Sequence, residues 1–196
     1  MTSPVPIIDL RGFFEGGDAD RARTAALVRD AMVDVGFLMV SGHGVPQELI
    51  ARVEKSALGF FDLPLDEKQR CSPGLKKANR GFGAVGTRTI GITENEKLLP
   101  SLQEGYGLGP MQVPDDPWYR APEAGTAYLP NIWPEHPADF KPALTEYYGH
   151  MQRLFLEIMR LFALALELPE KYFDPCLTKH GSTLRLVHYP SLDREP

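Results

Sequence analysis

The sequence has little cysteine, no excess of basic charge and no long apolar run. Only Cys71 and Cys176 occur among 196 residues, which excludes a disulfide framework or a cysteine-based zinc cluster and favours a reduced, cytoplasmic protein. The 21 Lys and Arg residues face 26 Asp and Glu residues, so the net charge of −5 offers no electrostatic reason to bind nucleic acid or an anionic membrane. No apolar stretch approaches the ~20 residues that a membrane-spanning helix needs. We therefore expect a cytoplasmic protein with neither partner.

The composition is otherwise that of a folded protein. Hydrophobic residues make up 43% of the chain and charged residues 24%, which are ordinary values for globular domains. A chain of this length buries roughly 70% of its extended surface, so it can form a core without disulfides or structural metals. We expect one domain, or a domain with part of another.

The five histidines lack the spacing of a metal site. A non-haem Fe(II) site uses two histidines and one carboxylate, and on a strand the first two ligands commonly appear as H-x-D or H-x-E. No histidine here has an acidic residue two positions later, and H-E-x-x-H is absent. The sequence therefore indicates no metal ligand and no catalytic residue. His43 lies between two glycines, and we interpret it as a hydrogen-bonded turn residue.

Residues Gly81 to Gly86 match the pattern G-x-G-x-x-G. A dinucleotide site requires a helix directly after this pattern, because the helix N-terminus binds the pyrophosphate. The residues that follow, Thr87 to Ile92, are β-branched and interrupted by glycine. The sequence therefore argues against a nucleotide site.

Apolar periodicity predicts the main elements. Helices are expected from an N-cap at Asp18 or Asp20 to about Val35, from Pro46 through Phe61, from Pro64 to about Arg70, and from about Asp139 to Glu167. Strands are expected at Pro4–Leu10, at a buried Phe37–Val40 and at Thr183–Tyr189, and Gly36 is expected to end the first helix. Residues 71–134 are rich in Gly and Pro and predict loops and short strands over a scaffold.

The last predicted strand has two different faces. Leu184, Leu186 and His188 alternate with Arg185, Val187 and Tyr189, so each set projects to one side of the strand. The first face suits packing against the long helix. The second bears a guanidinium and a phenol, which together can bind a carboxylate, although a half-exposed strand with a solvent-facing arginine has the same pattern.

The order and spacing of several segments resemble the N-terminal region of the isopenicillin N synthase-like family of Fe(II)-dependent oxygenases, most of which use 2-oxoglutarate. These segments are IIDL, DVGFLMVSGHGVP, FFDLPLDEKQR, Asn79–Phe82, Glu104–Tyr106, Asn131–Pro134, ALALELPEKYF and LRLVHYP. The resemblance implies an α+β fold in which a long helix packs against an incomplete double-stranded β-helix, or jelly roll. Residues 1–136 would form the N-terminal helical region with its loops, and 137–196 the long helix and the first jelly-roll strand.

The same resemblance implies site residues and partners. Tyr189 and Arg185 match positions that contact a carboxylate of the co-substrate or substrate, and Asn79, Arg80 and Phe82 match a loop that lines the substrate pocket. Fe(II), 2-oxoglutarate, O2 and a small-molecule substrate are the implied cofactors and partners.

The resemblance places the family's iron ligands, H-x-D and a distant His, and its R-x-S segment after the YP strand, beyond the last residues of this sequence, Asp193–Pro196. We therefore expect the N-terminal part of such an oxygenase, inactive alone and prone to self-association. The alternative is a non-enzymatic binding module derived from the same scaffold. An open reading frame that encodes H-x-D beyond Pro196 would favour the enzyme.

Overall fold

The structure, a computed structural model, describes residues 5–74, 79–87, 89–90 and 99–191. It has an α+β fold, as predicted. The α-helices are α1 (Arg11–Glu15), α2 (Asp18–Asp34), α3 (Gln47–Phe61), α4 (Leu65–Gln69) and α5 (Phe140–Ala165). The strands are β1 (Ile7–Asp9), β2 (Met39–Ser41), β3 (Gly81–Gly83), β4 (Thr89–Ile90), β5 (Leu99–Pro100), β6 (Glu104–Leu108) and β7 (Leu184–His188). None of the helices within those ranges combines the length and apolarity needed to cross a membrane.

Helix α2 confirms one predicted boundary and corrects another. Gly36 has a φ of +79°, and its N–H donates to the carbonyl of Ala31 at 3.0 Å, so it ends the helix as predicted. The prediction that Asp18 or Asp20 caps the N-terminus is wrong, because Gly17 occupies the cap position. Both aspartates lie instead in the first turn, where the helix dipole favours negative charge.

The strand expected at Phe37–Val40 forms, but it begins later and is not buried. Strand β2 pairs with β1 in a parallel sheet of two strands, with Ile7 opposite Met39. Phe37 is 72% exposed, and Ile7 and Met39 are exposed as well. The prediction failed because a short apolar run indicates a strand but not whether both of its faces are covered.

The chain divides into two compact units, residues 1–47 with 149–180 and residues 48–148 with 181–196. Each unit takes residues from both sides of position 136, where the sequence predicts a boundary between regions. Helix α5 accordingly contributes to two cores. Phe140 and Leu144 belong to the core of the second unit, and Leu154 and Leu161 to that of the first.

An antiparallel sheet in the order β3-β6-β7 organises the second unit. Phe60 of α3 lies at the centre of its core, with ring centroids 4.9 Å from Tyr106 and 5.1 Å from Phe140. The Tyr106 hydroxyl donates to the carbonyl of Ile132, and burial raises the pKa of this phenol. Leu184 and Leu186 pack against the same core, which confirms the face predicted for them.

The G-x-G-x-x-G segment does not precede a helix in the residues described between 84 and 90. Its first three residues form β3, Gly86 turns with a φ of +78°, and Thr89–Ile90 is strand β4. The strand at Thr89–Ile90 stands where a dinucleotide site would require a helix, while Gly91 and Ile92 lie outside the described residues.

Candidate functional site

Strand β6 gives the three-stranded sheet two unlike sides. Glu104, Tyr106 and Leu108 are buried on one side, which we call the core face. Gly105 and Gly107 alternate with them and therefore define the opposite side, which we call the glycine face. The sequence EGYGLG thus combines a packed face with a face on which other groups can approach the backbone closely.

Three of the residues predicted as site residues cover this row of glycines. A Cβ on Gly105 would lie 3.5 Å from Nε of Arg185, and a Cβ on Gly107 would lie 2.7 Å from the carbonyl oxygen of Asn79. The guanidinium of Arg80 occupies the corresponding space at Gly109, directly after the strand. The structure therefore brings together Arg185, Asn79 and Arg80, which are far apart in sequence.

Arg185 is the residue of this group with unused hydrogen-bonding capacity. Its Nε and Nη2 atoms are buried, and they have no hydrogen-bond partner in the described part of the chain. A buried donor without a partner is destabilising by about 1–3 kcal/mol. These two nitrogens form one edge of the guanidinium, which is the edge that can donate two parallel hydrogen bonds to a carboxylate. The predicted contact of Arg185 with a carboxylate stays a prediction.

Tyr189 follows directly after β7. The alternation of side chains puts it on the same side as Arg185 and Val187, and it is 71% exposed. Its phenol is therefore accessible to a ligand that approaches the glycine face. Its predicted contact with a carboxylate stays a prediction.

The guanidinium of Arg80 has hydrogen-bond partners that the Nε and Nη2 atoms of Arg185 lack among the described residues. Its guanidinium is buried and donates to the carbonyl oxygens of Leu129 at 3.1 Å, Asn79 at 2.9 Å and Ala127. Burial also lowers the pKa of Arg80. These bonds join the 127–129 loop to the start of β3, so the geometry supports a loop-fixing role, and the predicted substrate contact stays a prediction.

Phe82 lies on the opposite side of the sheet from the glycine face. Its side chain is buried in the core, with its ring centroid 5.8 Å from that of Phe60 and 5.5 Å from Nζ of Lys68. This position gives no support to its predicted contact with a substrate, which likewise remains untested.

A buried charged network that the sequence patterns did not predict lies on the core face. Nζ of Lys68 donates to the Glu104 carboxylate at 2.9 Å and to the carbonyl of Phe61 at 2.7 Å. Nδ1 of His188 lies 2.9 Å from the other carboxylate oxygen of Glu104, and its ring stacks on Phe61 with centroids 5.0 Å apart. Lys68 and Glu104 are only 7% and 5% exposed.

A signal for this network was present in the sequence. Glu104 alternates with glycines and shares its face with Tyr106 and Leu108, so it is an acid on the apolar side of a strand. Such a carboxylate requires partners, because an unpaired buried charge is strongly unfavourable. His188 likewise shares the apolar face of Leu184 and Leu186. The partner Lys68 could not be identified, since it lies 36 residues away on a helix.

The described residues do not fit the iron that the resemblance implies. Among residues 5–74, 79–87, 89–90 and 99–191, no group of three or more His, Cys, Asp and Glu side chains is arranged to bind a metal. His43 instead accepts a hydrogen bond from the N–H of Val45 at 3.2 Å, between Gly42 and Gly44 with positive φ. This confirms its interpretation as a turn residue.

Solved structures define the class of protein to which the fold belongs. A putative 2OG-Fe(II) oxygenase family protein from Caulobacter crescentus is similar with a TM-score of 0.79 over 99% of this chain and 59% of its own, at 24% identity. A full-length Neurospora crassa protein, crystallised in complex with alpha-KG and thymine, is similar with a TM-score of 0.76 over 95% of this chain and 55% of its own, at 26% identity. The chain therefore has the fold of the matching part of 2-oxoglutarate-Fe(II) oxygenases.

The family follows from the sequence comparison. A sequence model of one protein family, described as "non-haem dioxygenase in morphine synthesis N-terminal", matches residues 5–136, about two thirds of the chain. The chain therefore belongs to this family and is an N-terminal region of the isopenicillin N synthase-like type.

Two curated relatives cover nearly all of this chain. A 2-oxoglutarate-Fe(II) type oxidoreductase of Emericella nidulans is 33% identical over 99% of this chain and 54% of its own length. Validamycin A dioxygenase of Streptomyces hygroscopicus subsp. limoneus is 32% identical over 98% of this chain and 52% of its own length. The chain thus spans about half the length of the curated relatives it matches.

Proposed function

We propose that this chain forms the N-terminal part of a non-haem Fe(II)- and 2-oxoglutarate-dependent oxygenase that acts on a small molecule. In this class, O2 oxidises a substrate C–H bond while 2-oxoglutarate is decarboxylated. Family membership and the names of the relatives support the class. Strand β7 would be the first strand of a jelly roll, and α5 the long helix that packs against it.

The observation that carries the proposal is the buried edge of the Arg185 guanidinium next to Gly105, which has no hydrogen-bond partner among the described residues. Arg185 would bind one carboxylate of 2-oxoglutarate through two parallel hydrogen bonds, and the Tyr189 hydroxyl would add a third. A Cβ at Gly105 would lie 3.0 Å from the carbonyl oxygen of Leu186, which is a tight contact, and 3.5 Å from Nε of Arg185. The chain's own contribution is therefore to bind and orient the co-substrate, and no metal ligand is assigned to it.

Calorimetric titration of the 196-residue chain with 2-oxoglutarate tests this site. We expect measurable binding, which Arg185→Leu weakens at least ~tenfold, since hydrogen bonds to a charged group contribute about 1.5–3 kcal/mol. Tyr189→Phe should weaken binding by a smaller factor. Arg52→Leu is the matched control, because Arg52 lies at the surface and pairs with Asp139 and Glu146. Absence of binding, or equal effects of both arginine substitutions, would overturn the proposed site.

We further propose that the 196-residue chain does not turn over 2-oxoglutarate with Fe(II). The described residues provide no arrangement for the metal, and the sequence has no H-x-D. The measurement is succinate release in the presence of Fe(II), ascorbate and O2. Turnover by the chain would contradict the proposal. Binding without turnover, in a gene that encodes no H-x-D segment, would favour the non-enzymatic binding module.

The exposed face of the β1–β2 sheet predicts self-association of the chain. Ile7 and Met39 are exposed opposite each other on this small sheet, and Val5 and Phe37, two residues before its strands, are exposed as well. Contiguous exposed apolar surface promotes association. We expect sedimentation coefficients that rise with protein concentration, and a shift toward monomer in the Phe37→Lys, Met39→Lys double variant. Substitution of Val113, an exposed residue of the other unit, by lysine is the control. A monomer at all concentrations would contradict this prediction.

A further inference from the structure

The Lys68–Glu104–His188 network connects the helical part of the second unit to the strand that bears the proposed carboxylate site. Glu104 and His188 are direct cross-strand partners in the β6–β7 ladder, and Lys68 comes from α4. Replacing a buried ionic group by packed apolar residues is often neutral or stabilising. Stability alone therefore does not account for three polar side chains on an otherwise apolar face.

The bonding of Glu104 determines which ring nitrogen of His188 donates to it. The Glu104 carboxylate already pairs with the Lys68 ammonium, and an ionised carboxylate only accepts hydrogen bonds. Nδ1 of His188, 2.9 Å from Oε1, must therefore carry the proton and donate. The Phe61 ring, stacked at an interplanar angle of 22°, fixes the plane of the imidazole. The network thus determines both the tautomer and the orientation of the ring.

His188 is also the last residue of β7, so it is the last point at which the strand is fixed before Tyr189. Because successive side chains project to opposite sides, an imidazole held on the core face directs Tyr189 toward the glycine face, where Arg185 lies. We infer that Lys68, Glu104 and His188 form a positioning network for the carboxylate site. This inference rests on the proposed function, and none of the three residues touches the ligand.

The variant Glu104→Gln tests the inference in the full 196-residue chain. The new amide has one acceptor, and the Lys68 ammonium competes for it with His188. The amide N–H groups then face Nδ1, so we expect His188 to change to the tautomer that carries its proton on Nε2. The ¹⁵N NMR signals of the imidazole report this change. The affinity for 2-oxoglutarate should fall about fivefold at temperatures where the protein is fully folded.

A second substitution should reverse these effects. In Lys68→Met combined with Glu104→Gln, the competing ammonium is gone, so the amide oxygen can again accept from Nδ1–H of His188. We expect the original tautomer and an affinity within about twofold of the unmodified chain. A purely structural role predicts the opposite, namely that the double variant binds no better than the single one. Arg52→Leu serves as the control for loss of an ion pair elsewhere in the same unit.

The outcomes separate this inference from the proposed function. If the unmodified chain does not bind 2-oxoglutarate, the proposed function fails, and the NMR signals of Arg185 Nε–H and the Tyr189 ring still test positioning without ligand. They should shift in Glu104→Gln and return in the double variant. Unchanged signals and affinity in Glu104→Gln would overturn the inference.

A pair of substitutions at His188 covers the case in which Glu104→Gln does not fold. The amide of His188→Asn can replace Nδ1–H as the donor to Glu104, whereas His188→Leu cannot donate. We expect the asparagine variant to keep the affinity and the Arg185 and Tyr189 signals, and the leucine variant to lose them. Equal behaviour of the two variants would contradict a positioning role.

Discussion

Lys68→Met is expected to lower the free energy of unfolding by about 3–5 kcal/mol, because it leaves a buried carboxylate without its cation. Glu104 is 5% exposed, so water cannot replace the lost ammonium. The carbonyl of Phe61 would lose its donor as well. Urea denaturation, monitored by tryptophan fluorescence, reports on the unit that contains Lys68 and Glu104, since Trp118 and Trp133 both belong to residues 48–148.

Arg52→Met is the matched control for this experiment. Arg52 also pairs with carboxylates, Asp139 at 2.9 Å and Glu146 at 2.8 Å, but all three side chains are largely exposed. Exposed ion pairs contribute about 0–1 kcal/mol, so the control should change stability little. Lys68→Met combined with Glu104→Gln should cost less than Lys68→Met alone, because no unpaired charge remains. Equal losses for Lys68→Met and Arg52→Met would show that the buried pair is not important for folding.

Local pattern was sufficient to predict the elements whose signal lies within one segment. The long helix was expected at about Asp139 to Glu167 and extends from Phe140 to Ala165, because its apolar residues recur every three or four positions. The alternation in LRLVHY gave the two faces of β7 for the same reason. Phe37 shows the limit of such patterns, since its exposure depends on which other strands cover the β1–β2 sheet.

The candidate site could be predicted only in part, because its residues meet through tertiary packing. The sequence alone does not show which of the two arginines, Arg80 or Arg185, has acceptors for its guanidinium. The fold distinguishes them, because the loop at 127–129 presents carbonyl groups to Arg80, whereas no residue that the structure describes accepts a hydrogen bond from Nε or Nη2 of Arg185. Likewise, the sequence alone does not predict that Lys68 pairs with Glu104, because the two residues meet only where α4 packs against β3.

The close packing on the glycine face leads to a second prediction with a large effect. Two Gly→Ala substitutions should change the free energy of unfolding in opposite directions. A Cβ at Gly107 would lie 2.7 Å from the carbonyl oxygen of Asn79 and 3.0 Å from its carbon. These are backbone atoms, and the same carbonyl accepts a hydrogen bond from Arg80, so they cannot move without disturbing the loop. We expect Gly107→Ala to destabilise the protein by about 3 kcal/mol, at the upper end of the range for overpacking.

Gly149→Ala provides the comparison, because Gly149 lies within α5 and nothing lies within 4 Å of its added Cβ. Alanine in a helix is more favourable than glycine by roughly 0.5–1 kcal/mol, so this variant should raise the midpoint of urea denaturation while Gly107→Ala lowers it. Gly107→Ala should also weaken 2-oxoglutarate binding, because displacement of Asn79 changes the surface next to Arg185. If Gly107→Ala were neutral, the close approach of Asn79 to β6 would be wrong, and the glycine face could not be the floor of a binding site.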